Sequence, residues 1–387
     1  MTVAMTSETA DFLTIDDIIS DVRRLEPDAD EPFDFLDGLD VLCRSLAQEA
    51  HCTPDGLSNA RNSLAHCLAT QVRVRRNLRE YPEIAGVPVG RPVFIIGLPR
   101  TGTTLLHNIL SLHSDLRCPN LWELVYPAGL TTTEEQEKAA DRMQNDIDEY
   151  YRITPRVAMV HMLNARRPDE CRWLLAHAFH SPIYWVRYDV PSYTEWFLRK
   201  GAGDAYAFHL SQLKNILWRI PSGVPLLKDP FHLWNLDALA AAYPAARYIH
   251  LHRDPVASTT STCSMTAVVR QTLSNQVDRA QIGRFWTMQI ERALSRLPTL
   301  RRTAMAGKAV LDIRYQDLTR DPIATVKRVC GFIGIPFTAE TQRRAQAFLA
   351  ENPLQTKGVH TYSADEFGLS ENELRERFVS YREDYGV

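Results

Sequence analysis

Four short apolar runs, Val93 to Ile96, Val224 to Leu227, Arg247 to His252 and Ala309 to Ile313, punctuate a chain whose other apolar residues recur mainly at helical spacing. Runs of this length, rich in β-branched and aromatic residues, suit strands covered on both faces, as in a parallel sheet. Helical stretches between them supply the crossovers that parallel strands need, so the order predicts an α/β fold. The first run breaks on Gly97 to Gly102, after which Leu105, Leu106, Ile109, Leu110 and Leu112 return with a period near 3.6. Residues 1–90 show no strand pattern. Their apolar spacing at Leu57, Leu64 and Leu68 predicts a helical N-terminal cap, closed by the turn-rich stretch from Tyr81-Pro82 to Arg91-Pro92. A second helical region, Thr131 to Ile220, is an insertion between two strands. The expected organisation is a cap of 1–90 and an α/β unit of 91–387 in one compact body.

The stretch from Val93 to Leu112 is therefore a strand, a glycine loop and a helix N-terminus. That order aims backbone N–H groups and the positive end of a helix dipole at one point, where an anion can sit. GLPRTGTT, residues 97–104, has the spacing of the phosphate-binding G-x-x-x-x-G-K-[ST] loop with Thr103 in place of the lysine. The flanking sheet is thus of the P-loop NTPase-like kind. A kinase or ATPase uses that lysine on the β- and γ-phosphates, so its loss argues against triphosphate hydrolysis while the anion cradle remains. Arg100 returns a cation to the loop.

Two later strands end in charge. Lys228 stands at the carboxyl end of Val224 to Leu227, and Arg253 at the end of Arg247 to His252. Charges placed there face the same crevice as the loop. Asp254 can cap the following helix, Pro255 suits its first position, and Ser261 lies about two helical turns further on.

Composition removes several alternatives. With 45% hydrophobic and 24% charged residues, and no apolar run of membrane-spanning length, the 387 residues read as a globular chain without a transmembrane segment. The N-terminus lacks the basic and apolar regions of a secretory signal, which makes the cytoplasm the expected compartment. Seven cysteines without a C-x-x-C read as reduced core residues, and the twelve histidines show no metal spacing, so no metal is expected. Net charge is −3, but residues 1–55 hold 14 acidic and 3 basic residues, or −11, leaving +8 for the rest. A mildly basic body suits a small polyanion and falls short of a nucleic-acid footprint. The acidic stretch, and the basic cluster Arg73, Arg75, Arg76 and Arg79, are expected to be solvated faces. Oligomeric state is not readable.

The loop PRTGTTLL resembles the 5′-phosphosulfate loop of sulfotransferases, with the arginine found in the tyrosylprotein and bacterial branches. Arg253 followed by Ser261 eight residues later is similar to the pair that binds the donor 3′-phosphate in that family, and LLKDPF is similar to the segment whose lysine assists transfer. RYQDL, beginning at Arg314, resembles the family's turn before the next helix. The resemblance implies a sulfuryl transfer from 3′-phosphoadenosine 5′-phosphosulfate to a hydroxyl of a small-molecule, lipid or glycolipid acceptor. It implies donor contacts from Arg100, Thr101, Gly102, Thr103, Thr104, Arg253 and Ser261, from Tyr315 near the adenine, and from Lys357 and Gly358 over the 3′-phosphate. Arg100 and Lys228 would stabilise the leaving phosphate, without magnesium.

The transfer also needs a base. The histidine used by cytosolic relatives is replaced here by Pro230. By similarity to the tyrosylprotein branch the candidate is Glu123, with His113, His161, His180 and His232 as alternatives. The aromatic-rich insertion, with Trp173, Trp185, Trp196 and Trp218, would form the acceptor pocket. Two other functions fit less of the pattern: a P-loop kinase or phosphotransferase, which lacks its lysine, and an inactive nucleotide-binding regulator.

Overall fold

The computed structural model describes residues 13–29, 33–160, 162–220, 222–352 and 363–387. Five parallel strands, β1 (Val93–Gly97), β2 (Leu116–Arg117), β3 (Val224–Lys228), β4 (Arg247–His252) and β5 (Ala309–Arg314), form one sheet in the order β2-β3-β1-β4-β5. The four runs read from the sequence are strands, extended by a residue in β1, β3 and β5. β2 is the addition. Two residues leave no readable period, and only its pairing with Val224 and Pro225 makes it a strand. Because β3 and β4 lie on opposite sides of β1, their crossovers separate over the end of β1, the switch point where open α/β sheets bind ligands.

The cap consists of helices Ile15–Leu25, Leu36–Gln48 and Pro54–Glu80. Its apolar stripe, including Ile18, Val22, Leu39, Leu64 and Leu68, belongs to the same buried cluster as Phe94 and Ile96 of β1 and Tyr248 of β4. Polar contacts tie it down too: Gln71 donates to the His177 carbonyl at 2.7 Å, and Asn77 to the Asn215 side chain at 2.6 Å. Part of the charge asymmetry of the sequence is met inside the cap. Asp21 pairs with Arg61 at 2.7 Å, Glu26 with Arg73 and Arg76 at 2.6 and 2.9 Å, and Asp34 with Arg75. These arginines and their acidic partners are not the solvated faces expected from the sequence; they fasten the first helices of the cap to its long one.

The insertion between β2 and β3 is helical, with its longest members at Thr133–Ile153 and Gly203–Arg219. Trp185 is fully buried against Phe197, Trp234, Phe285 and Trp286, so this tryptophan is core and not pocket lining. Among the described residues no helix is long and apolar enough to cross a membrane.

Candidate active site

The loop after β1 is built from backbone that few residues tolerate. Gly97 has φ 153°, and a Cβ there would stand 2.6 Å from the Leu251 carbonyl oxygen of β4. Gly102, at φ 86°, lets the Tyr315 ring approach to 3.0 Å of where its Cβ would be. Arg100 itself is left-handed, at φ 67°. For a side-chain-bearing residue that costs about 1–2 kcal/mol, which the surroundings must hold. They do so through three bonds: Thr101 Oγ1 to the Leu98 carbonyl at 2.7 Å, Ser258 Oγ to that of Pro99 at 2.6 Å, and Arg253 Nη1 to that of Arg100 at 2.6 Å. Thr101 is buried, and its hydroxyl closes the loop. The helix Thr103–Leu110 begins directly after.

Around this loop the sequence candidates fall into two groups. On the β4 side, Arg100 Nε donates to Ser261 Oγ at 3.1 Å, and the Arg253 guanidinium lies 4.4 Å above the Tyr315 ring. Arg100 is exposed and Arg253 partly so, while Ser261 is buried at 4% exposure. Two guanidinium groups, a hydroxyl and a helix N-terminus here address the same space. On the β3 side, Lys228 is 2% exposed, donating to Thr104 Oγ1 at 3.2 Å and to Glu170 Oε1 at 2.7 Å. Burial pulls the Lys228 ammonium down to about 8, opposed by the nearby Asp169 carboxylate. Glu170 also pairs with Arg172. Asp229, a third carboxylate near Lys228, accepts the Phe231 N–H at 3.0 Å.

Glu170 is the residue that sequence reasoning passed over. It stands in RRPDECRW, an acidic pair flanked by arginines with no periodic pattern, and that mixed charge between apolar stretches was its one signal. Glu123 stands outside both groups. Its carboxylate is 1% exposed, held by Arg117 and by the Asn120 N–H at 2.9 Å, the capping box of helix Leu121–Val125.

The described histidine candidates are all buried. His113 Nε2 bonds the Pro336 carbonyl at 2.8 Å, and His180 packs between Trp196 and Phe197, where burial lowers its pKa to about 4. His232 is buried with both ring nitrogens hydrogen-bonded, to Cys171 and Tyr206. His161, Lys357 and Gly358 lie outside the described residues.

A five-stranded parallel sheet with an anion loop at its switch point and strand-end cations on both sides defines a P-loop-type group-transfer fold. The sulfotransferase family profile matches residues 92–339, and the chain belongs to that family. Among solved structures, sulfotransferase STF1 from Mycobacterium tuberculosis H37Rv aligns with a TM-score of 0.84 at 28% identity, over 96% of this chain and 100% of that one. Sulfotransferase STF9 from Mycobacterium avium shares the fold at a TM-score of 0.87 and 23% identity, over 97% of each chain. The omega-hydroxy-beta-dihydromenaquinone-9 sulfotransferase Stf3 of Mycobacterium bovis is 24% identical over 262 residues. That match spans 63% of this chain and 63% of the relative; the Mycobacterium tuberculosis protein of the same name gives the same figures.

Proposed function

We propose that the protein transfers a sulfuryl group from 3′-phosphoadenosine 5′-phosphosulfate to a hydroxyl of a small-molecule or lipid acceptor. The observation that carries this reading is the convergence of two cationic groups on one helix N-terminus. Arg253 and Ser261 suit the donor 3′-phosphate, with Tyr315 supporting the Arg253 guanidinium from below. Arg100, the loop N–H groups and Thr104 suit the 5′-phosphosulfate. Sulfuryl transfer in line leaves negative charge on the departing phosphate, and the buried Lys228 ammonium meets it in a site of low dielectric. Glu170 takes the acceptor proton in this scheme, in place of Glu123, because its carboxylate stands against Lys228 beside the loop while Glu123 stands outside both groups.

No metal is assigned a part in this reaction, because there is no triphosphate to bridge. The lipid reading draws support from Stf3, whose name gives a hydroxylated dihydromenaquinone as its substrate. Seven free thiols fit a reducing compartment, the cytoplasm. A labelled-sulfur donor incubated with pools of lipid and small-molecule alcohols tests the proposal. We expect label in an apolar alcohol, with EDTA present. Label from ATP in place of the sulfuryl donor would instead make the protein a phosphotransferase.

A further inference from the structure

We propose that His232 is a positioning residue, which sets the Lys228–Glu170 pair through Cys171. The inference rests on the roles given above to Lys228 and Glu170. Glu170 occupies an irregular segment just before helix Arg172–Ala176, so no ladder or helix holds its backbone. Its neighbour Cys171 does that work. The Cys171 N–H donates to the Lys228 carbonyl at 3.0 Å, and the Cys171 thiol shares a 3.2 Å hydrogen bond with His232 Nε2. The imidazole is in turn fixed from three directions: its own backbone N–H bonds the Asp229 carbonyl at 3.3 Å, Nδ1 shares a 2.7 Å bond with the Tyr206 hydroxyl, and the Phe94 ring meets it edge-on at 5.4 Å.

All of these groups are buried, and burial drives the His232 pKa well below its ordinary value. A neutral imidazole has one N–H and one lone pair. One tautomer therefore satisfies both bonds, Tyr206 on one side and Cys171 on the other, and leaves no proton for chemistry. Histidine fits here because its two nitrogens span the distance from Tyr206 to Cys171. With Cys171 fixed at both backbone and side chain, the adjoining Glu170 carboxylate is held against the Lys228 ammonium. Arg172 and Lys228 hold the carboxylate end while Cys171 sets the chain that carries it, and a displacement near 1 Å of that chain costs reaction rate on the order of 100-fold.

Two substitutions separate this role from simple core packing. His232→Asn presents its amide where Nδ1 was and keeps Tyr206 but cannot reach Cys171, whereas His232→Gln extends toward the Nε2 position. We expect His232→Asn to lower kcat by roughly 10- to 100-fold with the dissociation constant for 3′-phosphoadenosine 5′-phosphate changed by less than about twofold, and His232→Gln to restore most of the rate. Cys171→Ala should reproduce the Asn defect. Crystal structures of the variants give a readout independent of turnover: the Lys228–Glu170 contact, 2.7 Å here, should be lost in His232→Asn and kept in His232→Gln. An unmoved contact in His232→Asn, or equal kcat in the Asn and Gln variants, overturns the proposal. Parent and Glu170→Gln turning over at the same rate would instead sink the assignment of Glu170 as base, while the crystallographic comparison would still judge His232.

Discussion

The two sides of the anion loop solve different problems with different cations. On the β4 side both cations are arginines, one exposed and one partly so, with Arg100 donating to Ser261 Oγ and Arg253 to the Arg100 carbonyl. On the β3 side the cation is one lysine, buried, paired with a carboxylate and tuned to about 8. A guanidinium stays charged at any working pH and fits phosphate geometry, which suits holding a donor. An ammonium in a dry site acts more strongly on charge that develops nearby, and its protonation responds to its surroundings, which suits transfer. The contrast supports the proposed division of binding and chemistry between β4 and β3, with the loop helix common to both.

The sharpest way to break that division is at the carboxylates. Glu170→Gln keeps shape but cannot take a proton, so kcat should fall by roughly 100- to 10,000-fold while donor affinity holds. Glu123→Gln should do the reverse of what the sequence suggests. Arg117 would lose its buried counter-charge, so the variant should unfold about 3–5 kcal/mol more easily in denaturant titrations, with turnover per folded molecule preserved. If Glu123→Gln removes turnover and Glu170→Gln does not, the base lies at Glu123 after all.

Arg100 tests whether the loop belongs to both halves. Arg100→Ala should lower kcat on the order of 100-fold, because its charge matters most as the phosphate departs. A rise in KM alone would make it a donor-side residue only. Arg253→Ala should act on the donor side, weakening 3′-phosphoadenosine 5′-phosphate by roughly 10- to 150-fold in calorimetry, the equivalent of about 1.5–3 kcal/mol. AMP, lacking the 3′-phosphate, should bind both proteins alike.

The smallest effect is a titration. The acting form of Lys228 is the cation, and burial has lowered its pKa from 10.5 to about 8, so kcat/KM should decline as pH rises through that value, by about tenfold per unit above it. Lys228→Arg should carry the decline to higher pH. A profile flat to pH 10 in the parent would remove Lys228 from the transfer step.

The two halves also differ in how far they can be read without a structure. Arg100, Arg253 and Ser261 sit at fixed offsets from strand ends and a glycine loop, and local rules of strand, turn and helix place them. Lys228 was readable for the same reason. Its partner was not: Glu170 reaches Lys228 across 58 residues, through an irregular segment pinned by the Cys171 N–H, and no period or spacing reports such a contact. Glu123 carries a second signal beside the resemblance: a glutamate at the third position of a helix behind Asn120 is a capping residue, and the structure shows that capping box. The cap taught a related lesson. Its acidic helices and the basic helix Pro54–Glu80 looked like separate solvated faces, and only the fold showed that Asp21 and Glu26 pair with Arg61, Arg73 and Arg76.

The division of labour itself is tested most directly by single-turnover kinetics, in which a labelled sulfuryl donor is titrated against excess enzyme and an alcohol acceptor. Donor affinity and the rate of transfer are then read from one curve. We predict that Glu170→Gln keeps the half-saturating concentration and loses the rate, and that Arg253→Ala raises the half-saturating concentration and approaches the parent rate at saturation. Loss of both quantities together in both variants would contradict it.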